Sequence, residues 1–238
     1  MVLIFLGLLA TLPAVLFASN YALCIPYAMW FYEFHALPGA EITAGLVTGI
    51  LGVMSASAKL RTGKLNAPIL AVCGLITLTL VLTPFYKQLL YSVDYGALGD
   101  KWQDGVCLQS TKYTCVPACA VTYMRLHGWP ATEKQLARAM GTTSRGTEMW
   151  YLMRALRKRG YEPQFSHVRS VKDAPVPSII GVHIGDIGHV VVLLSKDKTG
   201  ATVGEPLNGR HRYTWPVLIR RYTPDGTCIT IKNTDPHI

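Results

Sequence analysis

Gln109-Ser-Thr-Lys-Tyr-Thr-Cys115-Val-Pro-Ala-Cys119 is the stretch on which the reading of this 238-residue chain turns. Apolar residues recur at helical spacing through Cys119, Val121, Tyr123, Met124 and Leu126, and Gly128 supplies a stop. The spacing predicts a helix over 115–127 that opens on Cys115. Pro117 suits a first helical turn, where its missing N–H costs little. At a helix start, unpaired backbone N–H groups and the positive end of the dipole favour a thiolate. A sulfur nucleophile needs that help, because a thiol of pKa near ~8.5 is mostly protonated at neutral pH. Gln109, in the loop leading in, carries an amide that can fold back and donate to an oxyanion beside the sulfur. Read alone, Cys115 and Cys119 fit better as small buried hydrophobes one helical turn apart.

Downstream the pattern gives two more helices and then strands. Thr132 is an N-cap for residues 133–140, ending at Gly141, and Thr147 opens a helix through Arg159, ending at Gly160. Strand signals follow at 164–168, 178–183, 189–195, 201–204 and 227–232. Helices grouped before antiparallel strands predict an α+β domain. His189 opens the most apolar strand, Gly188-His189-Val-Val-Val-Leu-Leu194, and is the candidate base for Cys115. Glu205, after the next strand, is the candidate that orients the imidazole, and Asn208 is its substitute. His183 competes as base, without the same apolar run behind it. His127 and His167 read as surface residues.

These residues, in this order, resemble the bacteriocin-processing cysteine peptidases that cleave leader peptides after a double glycine, a family of papain-like fold. The resemblance covers about 106–232. It rests on Gln109, Cys115, Pro117 and Ala118, on His189 opening an apolar strand, and on Glu205-Pro206 where the family has Asp-Pro. It extends to Glu133–Ala137, Gly141-Thr-Thr, Gly146-Thr147 and Leu156–Gly160. It implies a papain-like cysteine peptidase with Cys115 as nucleophile, His189 as general base and acid, Gln109 in the oxyanion hole and Glu205 behind the His. Two departures stand out: Val116 replaces the usual Gly, and Glu205 is one methylene longer than Asp. The familiar members are cytoplasmic domains at the N-terminus of exporting ABC transporters. This chain has no Gly-x4-Gly-Lys-Ser/Thr stretch, so the double-glycine substrate does not carry over. The expected function is a membrane-anchored peptidase hydrolysing bonds in a peptide or small protein. The alternatives are a non-catalytic peptide-binding receptor or adaptor, and a thiol-dependent acyl or amide transferase.

Composition points to a second region. Half the residues are hydrophobic and 16% are charged, against about a quarter charged in ordinary soluble domains. Residues 1–100 hold four Lys/Arg and four Asp/Glu, while the rest hold 19 and 10. Disorder, a collagen-like repeat and a small disulfide scaffold are excluded. Three uncharged runs, 1–18, 42–58 and 67–86, predict a membrane region of three transmembrane helices over 1–93, with a linker at 94–103 and the peptidase domain at 104–238. Residues 1–18 lack the positive start of a signal peptide. Segment 20–37 reads as interfacial or re-entrant, with Glu33 and His35 in a wet loop. Lys59, Arg61 and Lys64 predict a cytoplasmic loop, hence a multi-pass protein of a bacterial inner membrane with its C-terminal domain outside the cytoplasm. There an oxidising space would allow Cys107 to pair with Cys228 or Cys119. The basic runs Arg154–Arg159 and Arg210–Arg221 read as solvated or facing membrane lipids. Nucleic acid is not an expected partner, for want of a module or interleaved aromatics. Cys107, Cys115, Cys119 and a His match no zinc spacing, so neither metal nor cofactor is expected.

Overall fold

The computed structural model describes residues 29–40, 57 and 67–232. The chain divides into two compact units, Met1–Leu90 and Tyr91–Ile238. In the first, the described residues form α1 (Met29–His35) and α2 (Ala67–Leu90). Among the described residues no helix is long and apolar enough to cross a membrane. The expectation of three transmembrane helices is corrected on this finding, and with it that of a multi-pass inner-membrane protein with its domain outside the cytoplasm. That reading rested on uncharged run length for the spans and on Lys59, Arg61 and Lys64 for the orientation. Runs 1–18 and 42–58 lie outside the described residues. Run 67–86 falls in α2, where Thr77, Thr79, Thr83 and Pro84 interrupt the apolar sequence and the Thr79 hydroxyl donates to the Leu75 carbonyl at 2.9 Å. Of segment 20–37, residues 29–35 form the seven-residue α1, with Glu33 half-buried and His35 buried.

The second unit is α+β. It opens with a small antiparallel pair, β1 (Lys101–Gln103) and β2 (Val106–Leu108), so the stretch expected as linker already carries structure at its end. Three helices follow: α3 (Cys115–Leu126), α4 (Glu133–Ala139) and α5 (Met149–Lys158). Their ends obey local rules. Thr132 accepts from the Gln135 N–H while the Gln135 side chain accepts from the Thr132 N–H, a complete capping box. Gly128 ends α3 at φ 75°, where the Gly128 N–H reaches the Arg125 carbonyl and the Trp129 N–H that of Met124. A residue with a Cβ would be strained in that left-handed turn.

Six strands then build one antiparallel sheet: β3 (Pro163–His167), β4 (Ser178–Ile184), β5 (Ile187–Lys196), β6 (Gly200–Glu205), β7 (Gly209–Thr214) and β8 (Thr223–Ile231), in the order β3-β8-β4-β5-β6-β7. A short helix, α6 (Trp215–Arg221), joins β7 to β8. The edge strand β7 and α6 escape sequence reading. Gly-Arg-His-Arg-Tyr-Thr carries little apolar alternation, and α6 has only seven residues, with a proline in its first turn.

Two-residue periodicity sorts the sheet. Ile180, Val182, Val191, Leu193, Ala201 and Val203 pack with Leu218 and Tyr222 into one buried cluster. Each such aliphatic side chain contributes about 1.5–3 kcal/mol on burial. The helix α3 packs against β5, where the Cys119 thiol donates to the Val190 carbonyl at 3.2 Å.

Candidate active site

Cys115 is the first residue of α3, and Thr114 precedes it without a side-chain cap. The first N–H groups of a helix have no partner inside it, and Pro117 has no N–H to offer. Two backbone donors, those of Cys115 and Val116, therefore open the helix beside the sulfur. The approach is a tight turn. The Thr111 carbonyl accepts from the Thr114 N–H at 3.2 Å, from its hydroxyl at 3.1 Å, and from Gln109 Nε2 at 2.8 Å. Gln109 thus folds back onto the turn that delivers Cys115, while its Oε1 is buried without a hydrogen-bond partner among the described residues. The Gln109 N–H donates to the Pro206 carbonyl at 2.8 Å, which ties this loop to the residue after Glu205.

His189 is placed by a hairpin. Ile184 pairs with Ile187 across a two-residue turn at Gly185-Asp186, so His189 lies opposite Val182. It is 8% exposed, and Glu205 is wholly buried. His189 Nε2 is 2.5 Å from Glu205 Oε1. The Cys115 side chain lies close enough to the same imidazole for its charge to act on it. With Nε2 committed to the carboxylate, Nδ1 is the nitrogen left for sulfur. Burial pushes the His189 pKa down, but hydrogen bonds and negative charge from Cys115 and Glu205 outweigh it and raise the value to about 9. Glu205 moves the opposite way: burial raises it, yet the His189 and Tyr222 hydrogen bonds hold it below the usual carboxylate range. Opposite shifts on two touching groups describe an ion pair.

The other sequence candidates lie elsewhere. Asn208, the substitute for Glu205, presents Oδ1 to His211 Nε2 at 2.8 Å. His183 is exposed on β4, and His167 is exposed on β3. His127 is no loose surface residue. It stacks on Trp129 with ring centroids 4.8 Å apart, and Trp129 stacks on Tyr161.

All four cysteines of this unit are free, so the expected pairing of Cys107 with Cys228 or Cys119 is not formed. Each buried thiol meets its own neighbours: Cys107 contacts the Leu108 carbonyl, Cys119 that of Val190, and Cys228 lies in the buried cluster with Ile180 and Val182. Burial pushes the Cys107 thiol up to about 12 and those of Cys119 and Cys228 upward as well. Cys115 alone among the four is not fully buried.

Two groups at the site carry no local signal in the sequence. The Tyr222 hydroxyl donates to Glu205 Oε2 at 2.6 Å. Glu133, also wholly buried, accepts from the Ser110 N–H at 2.8 Å and from its hydroxyl, clamping the residue after Gln109.

The sequence of the whole domain matches one family model, that of the Peptidase C39 family, over residues 104–235. The chain belongs to the Peptidase C39 family. It is a cysteine-type peptidase. Two relatives, uncharacterized proteins of Methanothermobacter thermautotrophicus and Methanothermobacter marburgensis, are each 31% identical, over 132 and 126 residues. Each alignment covers 53% of this chain, and 87% and 86% of the respective relative. Among solved structures, the peptidase domain of Streptococcus ComA, a bi-functional ABC transporter of a quorum-sensing pathway, is similar at TM-score 0.47 and 19% identity, over 54% of this chain and 98% of that one. A double glycine motif protease from an AMS/PCAT transporter, solved with its leader peptide, is similar at TM-score 0.47 and 18% identity, over 56% and 96%.

Proposed function

We propose that this C39 peptidase hydrolyses peptide bonds by a Cys–His thiolate mechanism with Cys115, His189, Gln109 and Glu205 as its working residues. The observation that carries the reading is one buried imidazole with Glu205 on its Nε2 and Cys115 close enough for its charge to act on the ring. The imidazolium stabilises the Cys115 thiolate, and Glu205 stabilises the imidazolium and holds the ring. The sulfur attacks the scissile carbonyl carbon. The oxyanion that forms takes hydrogen bonds from the Cys115 N–H and from the second N–H of the Gln109 amide. His189 gives its proton to the leaving nitrogen, the C–N bond breaks, and a thioester remains on Cys115. Water, losing a proton to His189, then attacks the thioester carbon, and the acid departs as the thiolate–imidazolium pair is restored.

The substrate class is a peptide or small protein. The test is digestion of a mixed synthetic peptide library by the full chain, by Cys115→Ala and by His189→Ala, with product termini read by mass spectrometry. New termini produced by the wild type alone are expected. Undiminished cleavage by Cys115→Ala would sink the reading, and products joined to an added amine in preference to water would mark a transferase.

A further inference from the structure

We propose that Tyr222 is a positioning residue for this site: its hydroxyl fixes the second carboxylate oxygen of Glu205, which aims the first at His189 and keeps the carboxylate ionised. The inference rests on the Cys115–His189 reading above and adds a member to it.

Glu205 has no access to solvent. An ionised carboxylate offers about four acceptor positions, and each one left bare in an apolar core is costly. Oε1 faces His189 at 2.5 Å and takes a long contact from the Leu207 N–H at 3.4 Å. Among the described residues, the Tyr222 hydroxyl alone donates to Oε2, at 2.6 Å. A Glu side chain has one more rotatable bond than Asp, so a grip on its far oxygen removes the freedom that the extra methylene adds.

Tyr222 is itself fixed. It is 1% exposed, within the cluster of Val191, Leu193, Val203 and Leu218. Its ring meets that of Tyr213 edge to face at 6.1 Å and 78°. On its outer side the exposed Arg221 guanidinium lies over the Tyr222 ring, 5.4 Å from its centroid. Tyr222 and His189 both donate to the Glu205 carboxylate, one to each oxygen, and hydrogen bonds linked through one group strengthen each other. The charged or titratable groups facing this pair are His189, Cys115, Cys119, Tyr213 and Arg221.

The test uses the full chain and iodoacetamide as the probe, with the alkylation rate of Cys115 followed from pH 4 to 9 by peptide mass spectrometry. Tyr222→Phe keeps the ring in the core and removes only the donor. The acidic midpoint should move to higher pH, and the rate at pH 6 should fall about three- to tenfold, the worth of one hydrogen bond. In a Glu205→Gln background the same substitution should add nothing, because Tyr222 acts through that carboxylate. An unchanged midpoint in Tyr222→Phe, with His189→Ala clearly slowed, overturns the proposal and leaves the Cys–His reading standing. An equal loss in the Glu205→Gln background also overturns it, since that marks simple packing. Alkylation of His189→Ala at the wild-type rate brings down the Cys–His reading, and this inference with it. Should Tyr222→Phe not fold, the surface substitution Arg221→Gln removes the cation that lies over the Tyr222 ring and polarises its hydroxyl. A smaller upward shift is then expected, and no shift overturns the proposal.

Discussion

Glu205 lies diagonally across from His189, one strand over and on the same face of the sheet. Val192 pairs with Gly204 and Leu193 with Val203, which puts Glu205 level with Val191, two residues past the His. Diagonal neighbours in an antiparallel pair have Cα atoms about 7–8 Å apart, within reach of long side chains. A Glu spans that diagonal and an Asp is shorter by a methylene. The geometry thus accounts for the carboxylate this chain uses, and the contact closes at 2.5 Å.

Glu205→Gln should slow Cys115 alkylation by iodoacetamide at pH 7 by about ten- to a hundredfold. The lost contact is a charge-assisted hydrogen bond, worth roughly 1.5–3 kcal/mol. A rate within twofold of wild type would show that the carboxylate does not sustain the imidazolium.

Asn208→Ala should leave the alkylation profile where it is. Its side-chain oxygen serves the half-exposed His211, on the far side of the Glu205 turn. A loss comparable to that of Glu205→Gln would return Asn208 to the role of orienter.

The pH dependence of stability follows from opposite shifts. His189 binds its proton more tightly when folded, its pKa rising from 6.5 to about 9. Its contribution is full below about pH 6.5 and is lost as pH rises through 9. Glu205 is depressed below its ordinary 4.5, so its contribution is present above that value and lost as pH falls through the lowered folded one. Thermal unfolding of the full chain should give a plateau near pH 6 and a decline toward pH 10. That alkaline decline should flatten in His189→Gln by on the order of 2 kcal/mol. Parallel curves for the two proteins would contradict the assignment.

Glu133→Ala should lower stability by about 1–3 kcal/mol, because the Ser110 N–H loses its acceptor in a buried setting. At this size that is a drop in Tm of roughly 2–10 °C. The same substitution should slow peptide cleavage through the loosened Gln109 loop, and an unaltered Tm would mean that Ser110 finds another partner.

Helices α3, α4 and α5 were legible because their signals are local. Thr132 with Gln135, and Gly128, Gly141 and Gly160, mark ends that depend on backbone geometry within a few residues. Strand β5 was legible from its unbroken Val-Val-Val-Leu run. The small pair β1 and β2, strand β7 and helix α6 were not, being three to seven residues long and without a sustained period. The first ninety residues misled for a different reason. Uncharged run length was read as transmembrane spans, whereas no helix among the described residues is long and apolar enough to cross a membrane.

By itself the sequence determined which groups were available: a cysteine at a helix start, a histidine at the mouth of an apolar strand, an amide six residues before the thiol, and an acid after the next strand. Each follows from neighbours along the chain, where capping and periodicity act. Tertiary structure alone decided which of those groups meet. Sheet register selected Glu205 over Asn208, and burial separated Cys115 from three inert thiols. Closure of α6 over the sheet brought Tyr222 to the carboxylate, 17 positions along the chain. Such choices depend on the packing of distant segments, which no local pattern encodes.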